Sequence, residues 1–305
     1  MFCNISCSIF SLHLKGTNVM SKHLYVGPGN FRRMSLRLIC GLLFSSGIGL
    51  IAYRRQSLDK SGVLGAIVSG TSIVGMGGWS WGLSLVYFFV SSSLLSSFRA
   101  RQKAIVASDK FSKGSRRDLS QALANGGLAT LFSLCSGFSR SPGVPRRAQS
   151  GFIGALATAT ADTWATELGT LSKASPRLIT NGKPVAPGTS GGVTPLGMAA
   201  SALGASTLGF FFWAGEGFRK SLALTPLLAL FSGIVGSCFD SLLGATLQAM
   251  YTCPTCKTET EQHIHHCGSR TEFLRGIAWM NNDVVNFMAT TIGSMTAIAL
   301  DIFFR

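Results

Sequence analysis

The sequence predicts an all-α protein, a polytopic transmembrane helix bundle of seven to eight spans. Three observations carry that prediction. The 305 residues are 47% hydrophobic and only 13% charged, with a mean hydropathy of +0.36, whereas soluble chains are about a quarter charged. Apolar runs of roughly 18 or more residues, enough to cross about 30 Å of hydrocarbon, recur along the chain. The 36 glycines lie mostly inside those runs, together with Ala, Ser and Thr. Small residues let helices approach closely in lipid, where packing and interhelical hydrogen bonds replace the hydrophobic drive.

In chain order the runs are Leu36–Tyr53, Ser61–Gly78, Trp81–Phe98, Asp118–Phe138, Gly151–Leu171, Gly192–Ala214, Leu222–Gln248 and Asp283–Phe304. The second and third are joined so tightly, through Gly78 to Gly82, that a re-entrant pair is an alternative, and the fifth is weakly hydrophobic. Residues 1–34 read as a variable N-terminal segment in which Met20 and Met34 are alternative starts, and residues 35–305 as a single integral membrane domain with a Cys/His loop at 251–280. Phe2–Leu14 is apolar but lacks a basic leader, which argues against a cleavable signal.

The net charge of +15 is concentrated between the runs. Sixteen of the 27 Lys and Arg fall in the connections after the first, third, fifth and seventh, so the positive-inside tendency places those connections in the cytoplasm. The expected location is therefore a multi-pass position in a membrane, the inner membrane for a bacterial source. Membrane lipid is an expected partner and nucleic acid is not; the sequence names no protein partner.

The polar motifs collect on that same face. Ser108–Gly127 reads SDKFSKGSRRDLSQALANGG, where Lys113, Arg116 and Arg117 lead into Asp118 and Asn125. Asp118 suits the positive end of a helix dipole, and Asp118, Gln121 and Asn125 share one face. A basic loop here serves topology, contact with anionic lipid, or a phosphate site. The fifth run contains TATADTWATELG, with Asp162 and Glu167. A charge at the bilayer centre costs roughly 2.5–3.5 kcal/mol on the lenient scale, so both acids are expected to face the bundle interior or water. Their five-residue spacing sets them about 140° apart on a helix, which lets one helix address two neighbours. Each acid is either a partner for a buried cation or an oxygen ligand for Mg²⁺, which takes one or two carboxylates plus substrate phosphates.

Ser175–Gly197 follows, with Asn181 and Lys183 at a turn and then Gly188, Thr189, Ser190, Gly191 and Gly192 just before the next run. Such a turn at a helix N-terminus is a ready anion site, although no Walker A spacing is present. Asp240 lies well inside the seventh run, and WMNNDVVN opens the eighth with Asn281, Asn282, Asp283 and Asn286. Asn282 or Asp283 serves as a helix cap in the simplest reading; the group exceeds what a cap needs. The loop CPTCKTETEQHIHHC offers Cys253, Cys256, Cys267 and one of His263, His265 or His266, with His266 the nominal fourth ligand of a structural Zn²⁺. A redox pair or unligated thiols are the alternatives.

Taken together, KGSRRDLSQALANGG, ADTWATELG, PGTSGGVTPLG and NNDVVN resemble, in the same order, the integral membrane family labelled domain of unknown function 92. The resemblance runs from about Ser35 to the C-terminus. It implies phosphorylation of an isoprenyl, phytyl-like monophosphate to its diphosphate by CTP or another nucleoside triphosphate with Mg²⁺. The reaction suits the residues, since phosphoryl transfer requires positioning, a divalent cation and positive charge. In this reading Asp162, Glu167, Asp240 and Asp283 provide Mg²⁺ ligands directly or through water. The Gly188–Gly192 turn and Lys183 hold the nucleotide, and Arg116 and Arg117 hold the lipid phosphate. The rival class is a secondary transporter of a polar or anionic solute, for which buried acids and internal repeats are familiar. SGVLGA at Ser61 and SGFIGA at Ser150 form a faint repeat.

Overall fold

The computed structural model describes residues 28–107, 116–139 and 141–304, with backbone alone given at 28–32 and 104–107. Its contacts divide the chain into Met1–Arg33 and Met34–Arg305, and the helix bundle with its connections belongs to the second unit. Lys113, an expected phosphate contact, lies outside the described residues.

The helices are α1 Pro28–Arg54, α2 Lys60–Ser72, α3 Trp79–Ser97, α4 Ala100–Ala107, α5 Leu119–Phe138, α6 Val144–Gly169, α7 Pro195–Gly215, α8 Thr225–Thr246 and α9 Asn282–Phe303. The second expected run becomes α2 and one π-helical turn, Ile73–Gly77. The chain then reverses at Gly78, whose φ of 102° is open chiefly to glycine. Two connections depart from the all-helical expectation. One carries an antiparallel pair, β1 Arg177–Leu178 with β2 Gly192–Val193. The other forms a three-stranded sheet in which β3 Met250–Thr252 pairs with β4 Glu259–Thr260 on one side and β5 Glu272–Arg275 on the other.

Four stretches among the described residues are long and apolar enough to cross a membrane: Arg33–Arg54, Pro195–Gly215, Lys220–Thr246 and Asn282–Phe303. The expected seven to eight spans are thus not recovered by length and apolarity alone. The physical reason is clearest in α6. Its residues from Ser150 to Ala161 are all buried, and it packs against α5, α7, α8 and α9. A helix ringed by other helices needs small residues rather than apolar bulk. By contrast α1 is only 17% buried over its apolar window and turns Leu36, Leu43 and Ile51 outward.

Small residues set the helix separations around α6. A Cβ on Gly154 would come within 2.5 Å of the Gly293 carbonyl oxygen, and one on Gly233 within 3.1 Å of the Ala157 carbonyl oxygen. Thr158 adds a hydrogen bond by donating to the Ser232 carbonyl at 3.2 Å. Beyond this crossing, Trp81, Phe152 and Phe212 fill the core, with Trp81 and Phe152 ring centroids 4.3 Å apart. The two faint-repeat segments are also packing surfaces: Gly65 abuts Ala122 and Leu119, and Gly151 abuts Phe132, all on α5.

At one end, Asp301 pairs with Arg146 at 3.0 Å and Glu216 with Arg219 at 3.5 Å. At the other, Leu58 and Arg117 form a parallel bridge, tying the connection after α1 to the start of α5.

Gly293 and Gly126 offer a controlled test of the crossing. A Cβ on Gly293 would sit 1.9 Å from the Thr158 hydroxyl, with the Gly154 and Ser232 carbonyl oxygens both at 3.1 Å, whereas Gly126 has nothing within 4 Å. Gly293→Ala is expected to cost about 1–3 kcal/mol through overpacking. Gly126→Ala should be neutral or gain up to about 1 kcal/mol from helix propensity. Thermal unfolding in detergent checks this, and equal shifts for both variants would contradict the packing assigned to Gly293.

Candidate functional site

The three connections after α3, α6 and α8 converge on one cavity of about 660 Å³. Its carboxylates are Asp162 and Glu167 from α6, Asp240 from α8 and Glu261 from the Cys/His connection; its cations are Lys103 and Arg117. Asn125, Asn282 and Asn286 add amides, and the entire Gly188–Gly192 turn forms part of the wall.

Asp162 and Glu167 address different neighbours, as a 140° separation requires. Glu167 is engaged at both oxygens, receiving the Ser96 hydroxyl and the Lys103 ammonium. Lys103 is further held by the Leu95 carbonyl at 2.7 Å and the Ser96 carbonyl at 3.0 Å. Asp162 instead faces α8, within hydrogen-bonding reach of Ser237. Ser237 and Asp240 are one turn apart and line the cavity together. The charges of Asp162 and Glu261 both act on Asp240. Asp240 Oδ2 is buried without a hydrogen-bond partner among the described residues.

That orphaned oxygen tests whether the site suits Mg²⁺. Leaving a buried carboxylate oxygen unpaired beside two further acids is costly, and a hard divalent cation with an all-oxygen preference removes the cost. The donor set fits. Asp162 and Asp240 are the residues that would hold it; Glu167 is committed to Lys103.

Arg117 is held by its backbone, which donates to the Ser57 carbonyl and accepts from Asp59, each at 3.0 Å. Its guanidinium lies over the Phe88 and Phe89 rings at 5.7 and 5.9 Å, and no carboxylate pairs with it among the described residues. Burial lowers its affinity for the proton, and Glu167 opposes that shift. Arg117, Gln121 and Asn125 line a second cavity as well. This one is about 100 Å³ and almost wholly apolar, running between α1, α2 and α3 past Ile48, Gly65, Val74, Gly82 and Leu85.

Several expected site residues have other duties. Asp118 caps α5 in a capping box with Gln121, and Ser120 bridges Asp118 to Asp283 at 2.8 Å from each. Asn281, rather than Asn282 or Asp283, caps α9 by accepting the Val284 N–H at 3.0 Å. Arg116 turns away, donating to the Leu58 carbonyl at 3.1 Å and lying 5.2 Å from the Tyr53 ring centroid. Lys183 and Asn181 sit on an exposed turn, where the Lys183 N–H bonds to Asn181. Asp118, Asp283, Asn281, Arg116, Asn181 and Lys183 do not line the cavity. In the glycine turn, the Thr189 N–H is already committed to the Ala186 carbonyl and the Gly192 N–H to the Thr189 carbonyl, so the turn offers fewer donors than its glycine content suggests. Ser190 donates instead to Gln248 at 2.7 Å.

In the Cys/His connection, Cys253, Cys256, Cys267 and His265 place their donor atoms within 4.8 Å of one another. The fourth member is His265, correcting the expectation of His266. Consecutive side chains project in different directions, so His265 is 1% exposed with Nδ1 3.2 Å from Cys267 Sγ, while His266 faces outward. Hydrogen bonds from Ser269 and His265 hold the Cys267 thiol down to about 5, and the bond to Cys267 pushes Cys256 up to about 11.

Sequence reasoning missed Lys103 and Glu261. Lys103 was indistinguishable from the topology-setting charges of its loop. Glu261 reaches the cavity from a connection that folds back on the helix ends, which no local pattern signals.

The match to the family model described as Integral membrane protein DUF92 spans residues 43–294. The chain belongs to this family. It is 34% identical over 283 residues to Protein PGR of Arabidopsis thaliana, covering 86% of this chain and 96% of the relative. It is 29% identical over 265 residues to an uncharacterized membrane protein of Methanocaldococcus jannaschii, covering 87% and 94%. No solved structure matches. Membership of DUF92 and the apolar helices together make this a membrane protein, and the cavity draws all its walls from within the matched residues.

Convergence of the connections predicts a common side. Single cysteines at Arg101, Lys183 and Thr258, tested in sealed vesicles with an impermeant maleimide, should all react from the same side. Reaction of one of them from the opposite side would break the single-cavity arrangement.

Proposed function

We propose that this DUF92 protein is a membrane kinase that converts an isoprenyl, phytyl-like monophosphate to its diphosphate with CTP or another nucleoside triphosphate. The observation that carries the proposal is the sharing of Arg117, Gln121 and Asn125 between the acid-lined cavity and the apolar groove. A substrate with a phosphate head and a hydrocarbon tail needs such a junction: its phosphate meets Arg117 while its chain lies between α1, α2 and α3. A polar solute in transit has no use for the apolar branch, which weighs against transport.

The carboxylates give the second support. Phosphates beside Asp162, Asp240 and Glu261 repel unless a divalent cation lies between them. Mg²⁺ bound by Asp162 and Asp240 would neutralise the phosphate oxygens and polarise the phosphorus under attack. An oxygen of the lipid phosphate forms a bond to the γ-phosphorus as the bridge to the β-phosphate breaks, and nucleoside diphosphate leaves. The lipid phosphate is already an anionic nucleophile, so no side-chain base is needed. Arg117 orients it, the Gly188–Gly192 wall lets the nucleotide phosphates approach the backbone, and Asn282 and Asn286 donate amide hydrogen bonds. Lys103 keeps Glu167 neutralised at the rim.

In the same reading α2 with its π turn, α3, α5 and α6 complete a multi-pass bundle of seven to eight crossings, shielded by the more apolar helices. The cavity opens on the cytoplasmic side, where nucleotides are available and where the positive-inside bias puts these connections.

The test is phosphoryl transfer from labelled CTP or ATP to a panel of prenyl monophosphates by the purified protein in detergent. Asp162→Asn and Asp240→Asn should keep or raise thermal stability, since each relieves buried charge. Both should lose at least about tenfold in rate, equivalent to roughly 1.4 kcal/mol of barrier. Glu167→Gln should behave differently, losing stability because it takes the carboxylate partner from partly buried Lys103. Folded aspartate variants with normal Mg²⁺-dependent turnover would refute the metal assignment. No transfer to any prenyl phosphate by wild-type protein would refute the kinase.

A further inference from the structure

The Cys/His connection has almost no core of its own. From Tyr251 to Trp279 its buried residues are Cys253, Thr260 and His265, while Ile264, Phe273, Leu274 and Trp279 are exposed. A segment this small cannot hold a fixed shape by hydrophobic burial and needs a covalent or metal staple. The two most chemically specialised residues inside it, Cys253 and His265, belong to the donor quartet.

The quartet has the form of a tetrahedral site. Cys253 and Cys267 sulfurs are 3.6 Å apart, close to the roughly 3.8 Å edge of a tetrahedron with metal–sulfur arms of about 2.3 Å. The Cys256 N–H points to Cys253 Sγ at 3.4 Å, a backbone donor stabilising a sulfur ligand. On His265, Nδ1 faces the sulfurs while Nε2 lies 3.1 Å from His266 Nδ1 and 3.3 Å from the Thr258 hydroxyl. Those outer partners leave Nδ1 as the ring nitrogen free to bind, an arrangement usual for metal-bound histidine, and Thr258 remains when His266 is replaced. Three thiolates and one imidazole suit Zn²⁺.

The chain between these ligands reaches into the cavity. Glu261 accepts the Gln248 amide at 2.8 Å, and Gln248 in turn accepts the Ser190 hydroxyl at 2.7 Å. The sheet is anchored to α8 separately: Arg275 pairs with Glu259 at 3.0 Å and donates to the Ala245 carbonyl at 3.0 Å. We propose that Cys253, Cys256, His265 and Cys267 bind one Zn²⁺, and that this metal fixes the glycine turn through the Glu261–Gln248–Ser190 relay. Gln248 is thus a positioning residue, buried at 2% exposure, that couples the metal module to the cavity wall. Only the consequence for phosphoryl transfer rests on the function proposed above; metal binding and turn ordering do not.

The experiment uses the full chain purified in detergent without chelators. Zinc content should be about one per chain. It should fall to background in Cys256→Ser/Cys267→Ser and in His265→Ala, and be retained in His266→Ala. Wild-type protein carrying no more zinc than the double variant would overturn the site, as would loss in His266→Ala with retention in His265→Ala. Hydrogen exchange of the peptide covering 186–194 reads the relay. Stripping zinc should speed its exchange severalfold while peptides of α6 remain protected. Gln248→Ala should speed it with zinc still bound, a result that does not depend on how far the bundle tolerates metal loss. An unchanged turn in the zinc-loaded Gln248→Ala protein would overturn the relay. Neither readout requires a prenyl phosphate, so failure here is distinct from failure of the kinase.

Discussion

A carboxylate set among membrane helices must be given a polar surrounding, and the arrangement of this bundle follows from where α6 places Asp162. The helix is buried on all sides from Ser150 to Ala161. Its last turns then open into the cavity, which Thr163, Thr166 and Glu167 line. Close packing below makes the open space above possible. Gly154, Gly233 and Gly293 draw α8 and α9 so near to α6 that their upper ends, carrying Asp240 and Asn286, converge on the same space. The polar site is therefore a consequence of small-residue packing beneath it.

The second constraint comes from the connections. Once the helix ends are fixed, the loops must satisfy their own backbone groups at the membrane boundary, where every unpaired N–H or C=O is costly. Each loop does so differently: Leu58 and Arg117 pair in a bridge, β1 pairs with β2, and β3 pairs with β4 and β5. These short pairings fix what faces inward. The bridge holds Arg117 at the meeting of a polar and an apolar cavity, and the first hairpin holds the glycine turn against Ala245 of α8.

Much of this was legible in the sequence because burial of charge leaves few options. Acids at 162, 167 and 240 inside apolar runs had to turn inward, and Asn282 and Asn286, one helical turn apart, had to share a face. What was not legible depended on contacts distant in sequence. The stripe Asp118, Gln121, Asn125 looked uniform, yet Asp118 and Gln121 spend their hydrogen bonds on capping α5. Arg116 and Arg117 are adjacent and chemically identical, and only the bridge to Leu58 decides that Arg117 points in. Lys103 among many basic residues, and Glu261 behind the cysteines, needed the folded loops before either could be associated with the site. Length and apolarity recover four of the expected spans for the complementary reason: hydropathy reports contact with lipid, and α6 is relieved of that contact by its neighbours.

The central claim is that one substrate occupies both branches of the junction at Arg117, with its phosphate on the acid-lined side and its hydrocarbon in the groove between α1, α2 and α3. Photo-crosslinking with a prenyl monophosphate bearing a diazirine at its tail addresses this directly, with the modified peptides mapped by mass spectrometry. The account predicts labels on α2 and α3 along the groove, near Ala66, Gly82 and Leu85, suppressed by unlabelled prenyl monophosphate and lost in Arg117→Ala. Labels confined to the outward faces of α1, α7 or α9, unaffected by competitor or by the Arg117 substitution, would contradict it.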